Sequence, residues 1–247
     1  MPVPTTAVQT AAAQTPAVLA SAALSTAALR QTMVDCQLRT FEITDRAVLD
    51  AALDIPREIF LPGLPEAVVY SDRILQIGAA SGRKRSMLAP MVVARLIQAA
   101  NITPTDRVLV VGAGTGYTAA LIGRLAAQVF ALESDAEMSS LATANFAHIG
   151  ATNIEVATGP LAAGLQQQAP FDVIVIDGAI EVQPDSLIAQ LKEGGCLTAV
   201  VHPAAAAGRR GKATLFEKNS GRIGSRMLFD AAGDLLEGFE KKAEFSF

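Results

Sequence analysis

From residue 107 onward, short apolar runs alternate with longer amphipathic stretches at a regular spacing. The apolar runs fall at residues 107–111, 128–132, 153–157, 172–177 and 196–201, and the helical patterns at 116–126, 135–149 and 184–192. Strands and helices alternating in this way predict an α/β domain built on a doubly wound, mostly parallel sheet. The run Val173-Ile174-Val175-Ile176 is apolar at every position, as a strand covered on both faces requires. Gly194-Gly195 reads as the end of one helix and the start of the next strand. Two further runs, 212–217 and 223–229, flank Asn219-Ser220-Gly221 and predict an antiparallel hairpin at the sheet edge.

Upstream the pattern is helical over residues 30–53, with a break near 41–44. Thr44 is the expected N-cap, followed by Asp45 and Arg46 in the first turn and by Val48, Leu49, Ala52 and Leu53 on one face. Residues 56–65 read as a loop and 68–77 as short extended pieces. Ser81-Gly82-Arg83-Lys84-Arg85 reads as a polar, basic loop. Pro90 opens a helix over 91–100, since proline suits the first helical position. Residues 1–29 have no charged side chain and mix Thr, Gln, Ser and Pro into alanines, so a flexible or weakly helical tail is expected there.

The chemistry concentrates in one stretch. Val108-Leu109-Val110-Val111 runs into Gly112-Ala113-Gly114-Thr115-Gly116-Tyr117, then a helix, then an apolar strand that ends in Glu133. Strand, glycine turn, helix, strand and acid form the layout of a nucleotide-cofactor site. The glycines let backbone approach the ligand, and the acid accepts hydrogen bonds from a ribose diol. A dinucleotide fingerprint needs its third glycine where Tyr117 stands. G-x-G-x-G after a strand is instead the pattern of S-adenosylmethionine (SAM) methyltransferases, which makes a dehydrogenase a distant alternative. The expected architecture is therefore the Rossmann-like SAM-dependent methyltransferase fold, with an N-terminal helical segment and a C-terminal antiparallel edge.

Composition narrows the picture further. At 247 residues a single domain with an appended segment is expected, and 51% hydrophobic residues suffice for a large core. The net charge of −4 argues against broad nucleic-acid binding. Cys36 and Cys196 form no C-x-x-C pair, which fits a reducing, cytoplasmic setting and makes a metal site unexpected. With only His148 and His202 there is no histidine cluster, and His148, beside Phe146 in a helical pattern, reads as structural or surface. No stretch is long and apolar enough to suggest a membrane span. A monomer or weak homodimer is expected.

Many further matches occur in one order. They are Met33-Val34-x-x-Gln37-Leu38-Arg39, Pro56-Arg57-x-x-Phe60-Leu61-Pro62, Tyr70-x-Asp72, the glycine turn and the acid Glu133. Pro170-Phe171-Asp172-x-Ile174, Gly178-Ala179 and Pro184-x-x-Leu187-x-x-Gln190-Leu191-Lys192-x-Gly194-Gly195 follow. In this order the chain after residue 30 resembles the protein-L-isoaspartate O-methyltransferase family. The resemblance implies methylation of the carboxylate of L-isoaspartyl residues in damaged proteins, with SAM as methyl donor and a protein or peptide as partner. It implies a cofactor site of Gly112, Ala113, Gly114, Thr115, Gly116, Tyr117, Glu133, Gly159 and Pro160. It also implies a substrate side of Arg85, Leu88, Ala89 and Pro90. Residues 30–247 would form the methyltransferase domain, with 30–100 as the substrate-side segment and 101–247 as the cofactor-binding core.

Three positions depart from that family's pattern. Leu88 stands where the family has a serine facing the acceptor carboxylate, and leucine donates no hydrogen bond. Ser86, two positions earlier, is a weak substitute, so no catalytic residue is assigned. Val110 replaces an acid expected near the SAM ammonium group, and Pro160 replaces an acid expected near the adenine; the later Gly164 still matches. Thr115 and Thr158 are candidate replacement hydroxyls, each also readable as a turn or cap residue. The run Arg83-Lys84-Arg85 invites an anionic substrate or stands as a solvated loop, and Arg57 is expected to pair with a nearby carboxylate. Two other readings stay open: a SAM enzyme with a different, possibly anionic small-molecule acceptor, and a non-catalytic binding protein that keeps the fold.

Overall fold

The computed structural model of the chain describes residues 25–77, 85–203 and 210–241. Helix α1 (Thr26–Met33) starts inside the stretch expected as tail, because the Ser25 hydroxyl accepts the Ala28 amide at 3.2 Å and caps it. The rest of that stretch, 1–24, lies outside the described residues. A π turn (Val34–Leu38) and a 3-10 turn (Arg39–Phe41) carry the chain to Glu42, whose φ of 65° ends the helical run. The break is where the pattern places it. The cap of α2 (Arg46–Asp54), however, is Asp45, whose carboxylate accepts from Ala47 N and Val48 N at 2.8 and 3.4 Å. Thr44 is instead tethered through its amide to Gln98 Oε1 at 2.8 Å.

The region expected as loop and extended pieces is more helical than its pattern suggests. Arg57–Phe60 forms a 3-10 turn and α3 (Glu66–Val69) a single helical turn. Only β1 (Leu75–Ile77) is extended, pairing antiparallel with β2 (Arg85–Met87) in a two-stranded sheet. Arg85 is therefore a strand residue, while 81–84 of the expected basic loop lie outside the described residues. α4 (Pro90–Ala100) begins on its proline as expected.

The main sheet has seven strands in the order β5-β4-β3-β6-β7-β8-β9. They are β3 (Arg107–Val111), β4 (Gln128–Glu133), β5 (Ile154–Thr158), β6 (Phe171–Ile180), β7 (Leu191–Val201), β8 (Arg210–Asn219) and β9 (Arg222–Ala232). The first five run parallel, and β8 and β9 close the edge antiparallel, turning through Ser220 and Gly221 at positive φ. Helices α5 (Tyr117–Gly123), α6 (Ala136–His148) and α7 (Asp185–Ile188) supply the connections. The helix expected over 184–192 is thus one turn only. Gln190 ends it by donating to the carbonyls of Ala163 and Ser186 at 2.8 and 2.9 Å, and β7 already starts at Leu191. Gly194-Gly195 lies inside β7, where the register with β6 shifts.

Alternate strand residues feed two cores, as a pleated strand requires. Val108, Val110, Val173 and Val175 pack with α2, α4, α5 and α6 on one face. Leu109, Val111, Ile174 and Ile176 pack on the other with Leu161, Leu187, Leu236 and Phe239, so that face is covered by short turns and by residues that follow β9. Each such fully buried aliphatic side chain contributes about 1.5–3 kcal/mol. Strand order reverses at β3, since β4 continues to one side and β6 to the other. A parallel sheet opens its ligand crevice at such a switch point, outside the carboxyl ends of the strands.

Candidate active site

The glycine turn leaves β3 at that switch point. Gly112, Gly114 and Gly116 have φ of 78°, 56° and 102°, all left-handed, where glycine carries no Cβ penalty. Gly112 and Ala113 donate to Leu132 O at 2.9 and 3.1 Å, which ties the turn to the end of β4. Gly116 has a packing role, because a Cβ there would lie 2.6 Å from Phe146 Cζ. A Cβ on Gly112 would lie 2.9 Å from Leu236 Cδ1 and 3.1 Å from Arg85 Nη2, so both side chains lean over the turn.

Glu133 sits beside the turn with no solvent exposure and a full set of donors. Its Oε2 accepts Gly114 N at 2.7 Å and Arg85 Nη2 at 2.5 Å, and its Oε1 accepts Ser134 N at 2.8 Å and Asp135 N at 3.3 Å. Arg85 is accordingly buried on the acid of the cofactor site and does not project from an exposed loop toward a substrate. The resemblance places Arg85 on the substrate side; in the structure its side chain meets Glu133. Gly159 donates to Glu133 O at 2.9 Å. Beyond it a cleft of about 370 Å³ is lined by Ser134, Gly159, Pro160, Leu161, Ala162 and Glu237.

On the acceptor side, Leu88 is buried against the backbone of Gly233, where a Cβ would meet Leu88 Cδ2 at 3.1 Å. Ala89 and Pro90 follow it, both buried. Ser86 pairs with Gln76 between the buried Arg85 and Met87, so strand alternation turns it to the opposite face from Arg85. Arg57 is wholly buried, and it finds carbonyls where a carboxylate was expected: Nε donates to Val69 O at 3.0 Å and Nη2 to Leu88 O at 3.2 Å. Its guanidinium also lies 4.6 Å from the Tyr117 ring centroid. The two threonines singled out as replacement hydroxyls are both engaged structurally, Thr115 Oγ1 on Phe60 O at 2.7 Å and Thr158 Oγ1 on Ser139 Oγ at 2.8 Å. His148, at the end of α6, is exposed.

Two residues the sequence reading passed over lie close to Arg85 and Glu133. Thr118, in the first turn of α5, is 1% exposed, and Asp177 on β6 is 5% exposed. Burial pushes the Asp177 carboxyl up to about 6, against the Arg85 and Arg57 guanidiniums, which pull it down. Of seven buried side-chain polar atoms without a partner among the described residues, four belong here: Arg57 Nη1, Arg85 Nε, Thr118 Oγ1 and Asp177 Oδ1. Asp177 carried a signal, since it follows an apolar strand just as Glu133 does. Leu236 carried none. Among the described residues no group of His, Cys, Asp or Glu could hold a metal ion, and no helix is long and apolar enough to cross a membrane.

A mostly parallel seven-stranded sheet with this glycine turn and strand-end acid defines a SAM-dependent methyltransferase fold. Residues 29–229 match the sequence model of the family described as protein-L-isoaspartate(D-aspartate) O-methyltransferase. The protein-L-isoaspartate O-methyltransferase of Koribacter versatilis is 46% identical over 166 residues, covering 67% of this chain and 73% of that protein. That of Methylorubrum extorquens is 41% identical over 174 residues, covering 70% and 74%. The chain belongs to the protein-L-isoaspartate O-methyltransferase family, whose cofactor is SAM. In fold it is similar to a solved protein-L-isoaspartate O-methyltransferase, with a TM-score of 0.76 at 24% identity over 85% of this chain and 66% of that one. A structure of a Plasmodium falciparum protein described as a putative enzyme of this kind, in complex with S-adenosyl-L-homocysteine, gives a TM-score of 0.69 at 17% identity, covering 87% of this chain and 99% of that one.

Proposed function

We propose that this chain transfers the methyl group of SAM to the carboxylate of L-isoaspartyl residues in proteins, with the residues around the 112–116 turn as its site. The observation that carries the placement is the cluster of four unpartnered buried polar atoms beside the glycine turn. Burying polar groups unpaired costs about 1–3 kcal/mol each, a cost that a polar ligand seated there would relieve. At Gly112 and Gly178 the backbone is covered by the Leu236 side chain, which a Cβ on either would meet at 2.9 and 2.6 Å, so a cofactor seated there would displace Leu236.

When bound, SAM supplies an electrophilic methyl group on a sulfonium centre. The turn would bring backbone against the ligand, and Glu133 would accept the ribose hydroxyls once Arg85 gives up its place on Oε2. The cleft between Ser134 and Leu161 takes the purine. An acceptor carboxylate is already nucleophilic at neutral pH, so the protein's part is alignment and a dry, complementary surrounding. Leu88 offers no donor there. The Thr118 hydroxyl and Arg57 Nη1 are unclaimed donors, and we assign them to the acceptor carboxylate. Residues 30–100 form the acceptor side of the domain in this reading and 101–247 the cofactor side, working as a monomer or weak homodimer in the cytoplasm. The free thiols Cys36 and Cys196 support a reducing setting.

An anionic small-molecule acceptor drew its support from Leu88 and from the run Arg83-Lys84-Arg85; of that run only Arg85 is among the described residues, and it is buried on Glu133. The decisive experiment offers the protein labelled SAM with an isoaspartyl peptide and its aspartyl twin. Label on the isoaspartyl peptide alone is expected; label on both or on neither overturns the reading.

A further inference from the structure

The two acids that flank the glycine turn differ in what they already hold. Glu133 accepts four hydrogen bonds from nitrogen donors within the protein. Asp177 has an oxygen with no partner, and no ion pair within 4 Å is found for it among the described residues. Its position follows from register. β3 and β6 are parallel neighbours with Val110 opposite Val175 and Val111 opposite Ile176, so the next residue of β6 comes level with Gly112. Val110 and Val175 share one face of the sheet, and Asp177, two residues beyond Val175, continues it. Thus a carboxylate stands one strand over from the turn, at the level of a glycine covered by the Leu236 and Arg85 side chains.

We propose that Asp177 is the seat of the cofactor's α-ammonium group. The assignment rests on the SAM reading above and deepens it. The charges around Asp177 are specific to a zwitterion. Arg85 keeps an N–H without a partner, able to face a carboxylate, while Asp177 supplies an unclaimed carboxylate oxygen. The amino-acid end of SAM carries both signs. A ligand that lacks that end would leave Asp177 as unpaired as it is in the free protein and forgo the gain of that contact. Asp177 would therefore decide between ligands that share the same nucleoside. The groups that set its charge from the packed elements are Arg57 on the 3-10 turn, Arg85 on β2, Glu133 on β4 and Thr118 on α5.

The test is calorimetric titration of the wild type and of Asp177→Asn with two ligands. S-adenosylhomocysteine has the amino-acid end, and 5′-methylthioadenosine lacks it. The variant is expected to bind S-adenosylhomocysteine about ten- to a hundredfold more weakly, the range for one charge-assisted hydrogen bond, with methylthioadenosine affinity unchanged. Equal loss for both ligands, or no loss for either, overturns the assignment. If the variant does not fold, the wild type decides. Its preference for S-adenosylhomocysteine over methylthioadenosine should shrink as pH falls from 7.5 to 5, because Asp177 takes up a proton near pH 6 while the ligand's amine stays charged. A preference independent of pH overturns the assignment. A wild type that binds neither ligand overturns the cofactor reading and this assignment with it.

Discussion

The two sides of the glycine turn are built on opposite plans. On the β4 side, Glu133 is wholly buried and saturated by backbone amides and Arg85. On the β6 side, Asp177 is nearly as buried, yet Oδ1 has no partner. The first carboxylate contributes to the fold, and the second costs it. Strain and unmet polarity of this kind persist where binding needs them. Substitutions on the two sides should therefore shift stability in opposite directions.

The largest effect is expected from Glu133→Ala. It strands the buried Arg85 guanidinium and three amides, and breaking a buried pair from one side costs about 3–5 kcal/mol. Urea unfolding measures it, and a loss under 1 kcal/mol would erase the contrast. The opposite sign is expected at Asp177. Its folded value of about 6 stands above the 3.8 of an unperturbed aspartate, so the folded state holds the proton more tightly. Stability from this group is complete below about pH 4, is lost as pH rises through 6, and is lower by about 3 kcal/mol above that. Asp177→Asn should accordingly be more stable than the wild type at pH 8, with the difference fading toward pH 4; equal unfolding midpoints at both pH values would contradict this.

Smaller effects sharpen the same contrast. Arg85→Met leaves Glu133 its amide donors but opens one acceptor position on Oε2, which keeps Gly114 N, so S-adenosylhomocysteine should bind severalfold more tightly while stability falls by about 1–3 kcal/mol. Weaker binding would mean that Arg85 helps hold the ligand and does not compete with it. Thr118→Val removes a buried hydroxyl without a partner, and a gain of about 1 kcal/mol in urea unfolding is expected. A loss would reveal a hydrogen bond on Thr118 after all.

The legible parts of the molecule were those written locally. The strand at 107–111, the glycine turn, Glu133 and the hairpin turn at Ser220-Gly221 follow from periodicity, glycine spacing and turn chemistry within a few residues. What escaped depends on chain returning from afar. Arg85 meets Glu133 across 48 positions, which no pattern around Arg85 reveals. The 184–192 helix shrinks to one turn because Gln190 bonds to the distant Ala163 carbonyl. Thr115 was readable either as a replacement hydroxyl or as a turn residue, and Phe60 O, 55 positions away, claims it. The alternation of β6 extended to Asp177 was readable and marked a second acid facing the turn; its lack of a partner was not.

Leu236 packs over Gly112 and Gly178 from a segment held to β6 by Ala179 N on Asp234 O and Leu236 N on Ala179 O, both at 2.9 Å. Whatever settles against that backbone has to displace the Leu236 side chain, and the segment is expected to open with it. Ligand capture then becomes a sequence of opening followed by encounter, and measured affinity is the intrinsic one multiplied by the fraction of molecules already open. In stopped-flow mixing, such a protein shows an association rate that levels off with ligand concentration at the opening rate of residues 233–239, while Leu236→Ala raises that plateau.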